Sequence, residues 1–395
     1  MRLPKTGAGL AVVAALTLTA SPALAASGWT LVPAPPTGQN AFLSGVAAQS
    51  DSNAWAVGAS NGRAYTGLGS KALIDHWNGS AWSPATAPTI SGSADLYAVS
   101  SSGANDAWAV GYYRIQRYTF YPLALQWNGS AWSVSASATS ALPGDTVLQG
   151  VTDISPTDVY AFGNNSPLAS GELGQWNGTS WSRVTYPLPT STGYDTTLNA
   201  ISADSPSDVW IIGEYLDQIG SVLRWETFSD HWNGTSWSVV PMPLVSSGSD
   251  NLDVYQINAM DVISSTSIWA VGGSGDNASP YGGTPSQTLI EHWNGSAWKL
   301  VPSPSPGTNG DLTGVTESGP SNVWAAGLDT PSRATQPQTL TMNWNGTQWT
   351  TVASPNQGSP SVLSGVSTTP GTAIVQAVGY SGLTGSFNPI AMQNG

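Results

Sequence analysis

Three histidines, 23 carboxylates and no cysteine are the reactive inventory of this 395-residue chain, set against ten cations. Without cysteine there is no thiolate nucleophile, no disulfide frame and no thiolate metal ligand. His76, His231 and His292 all stand just before a Trp-Asn-Gly triplet, and related segments put Gln126, Gln175, Asn343 and Met392 in that place. Amide and imidazole both supply a hydrogen bond, whereas a metal ion or a general base does not accept glutamine so freely. The pattern therefore predicts a structural role for the three histidines, no metal site, no cofactor and no Ser-His-Asp triad. Glu214, Asp217 and Glu226 are the candidates for a two-carboxylate glycosidase pair, but they share one segment and read equally well as solvated charges.

Binding chemistry is better represented. Tyr112 to Tyr121 packs aromatic rings and two arginines into ten residues, and Glu214 to Glu226 adds Tyr215, Arg224 and Trp225. Tyr113, Arg114, Arg117, Tyr118, Tyr215, Arg224 and Trp225 form the candidate ligand-binding set, because planar rings and guanidinium groups stack on sugars or anchor a protein partner.

The elements that would hold these residues are repeats. Trp-Asn-Gly-Ser/Thr-x-Trp begins at Trp77, Trp127, Trp176, Trp232, Trp293 and Trp344. A second motif, Val-Trp-Ala-Val-Gly in its fullest form, ends at Gly58, Gly111, Gly163, Gly213, Gly272, Gly327 and Gly379. A period in this range points to a propeller or a solenoid. Each unit parses into four short strands, a to d, with Asn-Gly as a type I′ hairpin signal between c and d. In blade one these are Leu43–Ala47, Ala54–Gly58, Lys71–Trp77 and Ala81–Ser83. The chain ends Asn394-Gly395 and its second segment opens Ser27-Gly28-Trp29, so joining them restores a seventh Trp-Asn-Gly motif. The expectation is an all-β, seven-bladed β-propeller of four-stranded antiparallel blades. The strand at Trp29 to Pro33 completes the last blade and closes the ring, which removes the open edge of an array. Eighteen of the 19 tryptophans fall on repeat positions, which marks them as packing between blades, and Trp225 is the exception. The Asp or Asn before Val/Ala-Trp (Asn53, Asp106, Asp158, Asp208, Asn322) is expected to bond to backbone in the a–b turn. The a–b and c–d turns are uniform, whereas the b–c segments vary, and variable loops on a rigid scaffold are where binding resides.

With these two motifs in fixed order, Ser27 to Gly395 resembles seven-bladed propellers with a velcro closure. More narrowly it is similar to secreted bacterial propellers of the Asp-Val-Trp-Ala-Val-Gly … His-Trp-Asn-Gly-Thr-Ser-Trp kind. The likeness implies fold and location, with no agreed activity; a weaker one to tectonin-type lectin repeats suggests sugar recognition. The arginine triad and Ser-x-Asp boxes of sialidases are absent, as is the cysteine-linked tyrosine of copper-radical oxidases.

Arg2 and Lys5, the apolar Ala8 to Ala20 and Ala23-Leu24-Ala25 predict a secretory signal over residues 1–26, too short to span a bilayer. The propeller domain is then 27–395. A formal charge of −13, more negative still without the leader, disfavours nucleic acid and anionic membrane. The expected protein is a secreted, extracellular, monomeric and non-catalytic binding module, directed to polysaccharide or to a cell-surface protein, with no membrane insertion. The alternative is a protein-interaction scaffold; a glycoside hydrolase or lyase is the least favoured reading.

Overall fold

Alternation of large and small apolar residues in each Val-Trp-Ala-Val segment gives a strand two packing faces, and the computed structural model uses both. The structure describes residues 28–35, 40–61, 69–165, 170–188, 195–219, 222–243, 253–276, 287–332, 334–383 and 385–395. The leader therefore lies outside the described residues.

The strands pair into four-stranded antiparallel meanders. Strands a are Phe42–Ser50, Ser93–Gly103, Thr146–Ser155, Thr196–Ser205, Asp253–Ser264, Asp311–Gly319 and Ser361–Thr368. Each pairs with its own strand b, and each b with its own c. Five meanders are separate sheets, while the third and fourth are joined by one parallel bridge, Ser170 to Thr196. Every strand a packs on the strand a of the next unit, and the last packs on the first, so the strands a ring the centre. Among the described residues one short helix, Ala136–Ala141, follows strand d of blade two in a chain expected to be all-β.

Closure is as expected in kind and differs by one residue in register. Thr30–Leu31 pairs with Asn388–Asn394, and Trp29 packs edge-on to Trp324 at 5.5 Å. Thr30 lies opposite Gln393, as Ser83 lies opposite His76, and both hydroxyls donate to the facing carbonyl at 3.3 Å. Gln393 therefore holds the histidine place, not Met392, and buried Asn394 holds the tryptophan place. The match of Asn394-Gly395 to the Asn-Gly motif is a coincidence of sequence.

Tryptophans from neighbouring blades interlock. Trp55 lies 4.9 Å from Trp127 and 5.1 Å from Trp132 of the next blade, the latter edge-to-face at 85°. Trp108, Trp210 and Trp269 repeat this arrangement against Trp176 and Trp181, Trp293 and Trp298, and Trp344 and Trp349. Such edge-on pairs add about 1 kcal/mol each beyond their burial. A polar belt the sequence reading missed runs beside them. Ser367, Ser100, Ser202, Asp261 and Thr316 accept the backbone N–H of Ala48, Asp153, Val262, Glu317 and Thr368 on the following blade, at 2.9–3.1 Å.

The motif turns are also more specific than predicted. In the c–d turns only glycine has positive φ, between 87° and 94°, so these are not type I′ turns with both residues left-handed. The Asn78 side chain instead accepts from the N–H of Ser80 and Ala81 and from the Ser80 hydroxyl. All six intact copies have this hydroxyl bond, at 2.7–3.0 Å, which explains Asn-Gly-Ser/Thr as a turn device.

Candidate functional site

The histidine position is structural, as its amide substitutes implied. His76 and His231 each place Nε2 2.8 Å from the Asn53 or Asp208 Oδ1 at the start of strand b. Gln175 and Asn343 donate to Asp158 and Asn322 at 2.9 Å in the same way, and His292 Nε2 lies 3.2 Å from Ser267 Oγ. Asn53, Asp158, Asp208 and Asn322 thus bind across to strand c, and Asp106 accepts from the Ser102 hydroxyl, so none of these bonds goes to turn backbone, a correction to the sequence reading. Burial pulls the His76 and His292 pKa values down, keeping the imidazoles neutral. His76→Gln should accordingly leave the denaturation midpoint within about 0.5 kcal/mol of wild type, the range of a benign exchange; a loss of several kcal/mol would show that the imidazole has another role.

The candidate ligand-binding residues do not share one environment. In blade two the b–c segment is no loop: Asp106–Gln116 and Thr119–Trp127 run on as a tall hairpin with Arg117 and Tyr118 at its tip. Tyr118 is 78% exposed, with the Arg117 guanidinium 5.5 Å from its ring. Tyr113 is half-buried and stacks on Tyr121. Arg114 is 6% exposed, lying against Tyr112 and Phe120 and donating to the Arg117 carbonyl. It sits beneath the surface, unlike Arg117 and Tyr118 of the same candidate set. The cause is alternation: residues 108, 110, 112 and 114 share the face of strand b that packs toward blade three. In blade four, Asp208–Ile219 and Val222–Trp232 form a second tall hairpin, with half-buried Tyr215 against Phe228. Arg224 and Trp225 lie on its backbone opposite Asp217 and Leu216, and their side chains are outside the described residues.

A site that sequence reasoning missed lies at the mouth of the ring. Strand a of every blade carries a bulge at one place, so that Ser44, Tyr97, Gln149, Asn199, Asn258, Thr313 and Ser364 fall between successive ladder pairs of the innermost strand. All seven are reached by solvent, although the leucine or isoleucine before each is buried. Bulges re-aim side chains in this way beside functional sites. One ladder step above stand paired residues at a common height: Phe42 and Ala59, Asp95 and Tyr112, Val147 and Asn164, Thr197 and Glu214, Asp311 and Leu328, Val362 and Tyr380.

This level has two characters. Around blades seven and one it is aromatic: Phe42, Tyr380 and Phe387 are half-buried, with ring centres 4.9–6.4 Å apart. Around blades two to six it is polar and bonded. The Tyr112 hydroxyl donates to Asp95 at 2.6 Å, Asn164 bonds the backbone of Leu198 in both directions, Asn199 donates to Glu214 at 3.0 Å and Asn258 to Asp311 at 2.7 Å. Enclosure by protein raises Glu214 to about 8 and Asp311 to about 6, the Asn199 and Asn258 bonds partly opposing the shift. Burial and then the Asp95 charge push the Tyr112 hydroxyl well above the usual phenol range. The signal for this site was available: the residue after each motif glycine reads Ala, Tyr, Asn, Glu, Gly, Leu, Tyr, a variable place beside an invariant one. Among the described residues no group of His, Asp and Glu is placed to hold a metal ion, and no helix is long and apolar enough to cross a membrane.

No protein-family profile and no curated protein sequence matches the chain. Solved structures do. YCF48 from Cyanidioschyzon merolae is 14% identical with a TM-score of 0.51, covering 93% of this chain and 99% of that one. An ulvan lyase of a polysaccharide lyase family, solved bound to -[GlcA(1-4)Rha3S]-, is 10% identical with a TM-score of 0.55, covering 93% and 94%. The polysaccharide lyase Uly1 is 10% identical with a TM-score of 0.51, covering 87% and 89%. At this identity the likeness establishes the fold. The expectation of a protein that is not an enzyme does not stand beside it: that reading rested on missing hydrolytic motifs, and the structures sharing this architecture include polysaccharide lyases. The chain is an all-β protein of repeated four-stranded antiparallel blades, similar in fold to β-propeller proteins among which are carbohydrate-active enzymes.

Proposed function

We propose that this is a secreted protein that engages polysaccharide across the mouth of the ring. The observation that carries the reading is the mouth itself: an aromatic corner of Phe42, Tyr380 and Phe387 faces a polar arc of bonded amides, carboxyls and Tyr97 at one height. Sugar rings offer an apolar face and a rim of hydroxyls, and a concave site with a few placed polar groups matches both. The lyases of similar fold support a carbohydrate ligand, and the leader pattern of residues 1–26 supports export.

The test is affinity electrophoresis against a panel of neutral and uronate-bearing polysaccharides. Tyr380→Ala and Asn164→Ala should each weaken retardation about tenfold, the loss of one stacking or hydrogen-bonding contact of about 1.4 kcal/mol. Tyr118→Ala, at the hairpin tip, should change it less. Retention that depends on Tyr118 and ignores Tyr380 would move the site to the rim; no retention on any polysaccharide would remove the proposal. A protein partner is the second reading, favoured by the exposed Arg117–Tyr118 tip standing clear of the ring.

A further inference from the structure

Two carboxyls at the mouth, Glu214 and Asp311, each accept an amide N–H from a bulge asparagine, Glu214 from its own blade and Asp311 from the preceding one. The strand b position of Glu214 is the first after Gly213, level with Thr197 and directly above the bulge residue Asn199. Asn199 gives one amide N–H to Glu214 Oε1 at 3.0 Å. The side chain is largely walled in by protein, yet solvent still reaches it. By contrast, Asp95 accepts a short bond from a phenol hydroxyl. The carbonyl oxygen of a neutral carboxyl is a better acceptor than its hydroxyl oxygen, so the Asn199 bond favours Oε1 as the carbonyl oxygen, with the proton on Oε2.

We infer that Glu214 is the proton donor of a glycan-cleaving site at the mouth, acting on the bond between two sugar units of a polysaccharide. The inference rests on the reading of the mouth as a polysaccharide site. In the step, the proton on Glu214 Oε2 passes to the glycosidic oxygen as the bond from that oxygen to the anomeric carbon breaks, its electron pair staying on oxygen. Water then bonds to the anomeric carbon and its surplus proton returns to the Glu214 carboxylate, so one water is consumed and two hydroxyl-ended chains result. A carboxyl kept neutral at neutral pH is what such a donor requires, and burial supplies it by holding the Glu214 pKa near 8. Activity should therefore fall as pH rises through about 8.

The experiment measures reducing-end release and affinity retardation together, with the full chain and the same polysaccharide panel. Glu214→Gln should lose at least about 100-fold in cleavage, the usual share of a general acid, while its retardation stays within threefold of wild type. Asn199→Ala retains the carboxyl and should lose less cleavage than Glu214→Gln, with the alkaline limb of its pH–rate profile moved upward, because a bond that lowers the Glu214 pKa is gone. Binding without cleavage by wild type would overturn the inference and leave the polysaccharide site intact; absence of binding would overturn both. Cleavage that survives Glu214→Gln, or products ending in an unsaturated sugar from elimination, would also overturn it.

Discussion

Gly111→Ala should cost about 3 kcal/mol or more of unfolding free energy, whereas Gly103→Ala, eight residues away, should fall within about 0.5 kcal/mol of wild type. The glycine that ends each Val-Trp-Ala-Val-Gly motif faces the bulge of its own strand a. A Cβ on Gly111 would overlap the Asp95 carbonyl oxygen and come within 2.9 Å of the Asp95 carbonyl carbon and the Leu96 Cα. All three atoms are backbone, so no rotamer change relieves the clash. The same overlap recurs at Gly58 with Phe42, Gly163 with Val147, Gly213 with Thr197, Gly272 with Gln256, Gly327 with Asp311 and Gly379 with Val362. To admit a methyl group the ladder must open at the bulge, which displaces Tyr97 and the Tyr112–Asp95 bond at the mouth. A Cβ on Gly103 meets nothing within 4 Å, so it controls for the entropy of losing a glycine. Urea denaturation of both variants checks the contrast. Equal, small effects would mean that the bulge adapts, and the seven motif glycines would then need another explanation.

That clash also shows which parts of the molecule were legible. Strand order, the interlocked tryptophans and closure by the N-terminal strand could be read because each is written several times over, and repetition separates signal from accident. The seam was misread by one residue because it is written once: Asn394-Gly395 looks like the motif, and only the pairing of Gln376 with Gln393 shows that Asn394 fills the tryptophan place. The mouth was overlooked for a related reason. Asn164 and Tyr380 do not stand out by residue type and Glu214 reads only as one of three carboxylates in one segment, whereas the aromatic and cationic run from Tyr112 to Tyr121 is conspicuous. What distinguishes them is position, one step past a glycine whose purpose is visible only once the bulge is known. Arg114 was within reach of simple alternation from Trp108, but a cation in a variable segment invites a functional reading first.

Stability should fall as pH rises from about 4 to about 8, and the variant Asp75→Asn/Asp230→Asn/Glu291→Gln should flatten that slope. The three residues occupy one position, two before the strand c tryptophan of blades one, four and five, where other blades have Leu125, Gly174, Met342 and Met392. All are 0–1% exposed. Neither oxygen of Asp75 or Asp230, nor Glu291 Oε2, has a hydrogen-bond partner among the described residues. Burial alone raises Asp75 and Asp230 to about 7 and Glu291 to about 8. In the unfolded chain these groups ionise near 4. Between the two values the folded protein holds protons that the unfolded chain has released, so raising the pH favours unfolding. The contribution is complete below pH 4 and is lost by pH 7 to 8, at a cost on the order of 4 kcal/mol per carboxyl. An amide has nearly the shape of the neutral acid, so the variant should match wild type near pH 4 and exceed it near pH 8. Asp153, Glu214, Asp261 and Asp311 are also raised and will leave the variant some slope of the same sign. Neutral His76 and His292 act oppositely below about pH 6.5, where the unfolded chain takes up protons they refuse. The decisive quantity is therefore the difference between the two melting profiles. If wild type and variant run parallel from pH 4 to 8, the three carboxyls ionise at ordinary pH, which requires compensation of their charge inside the blades.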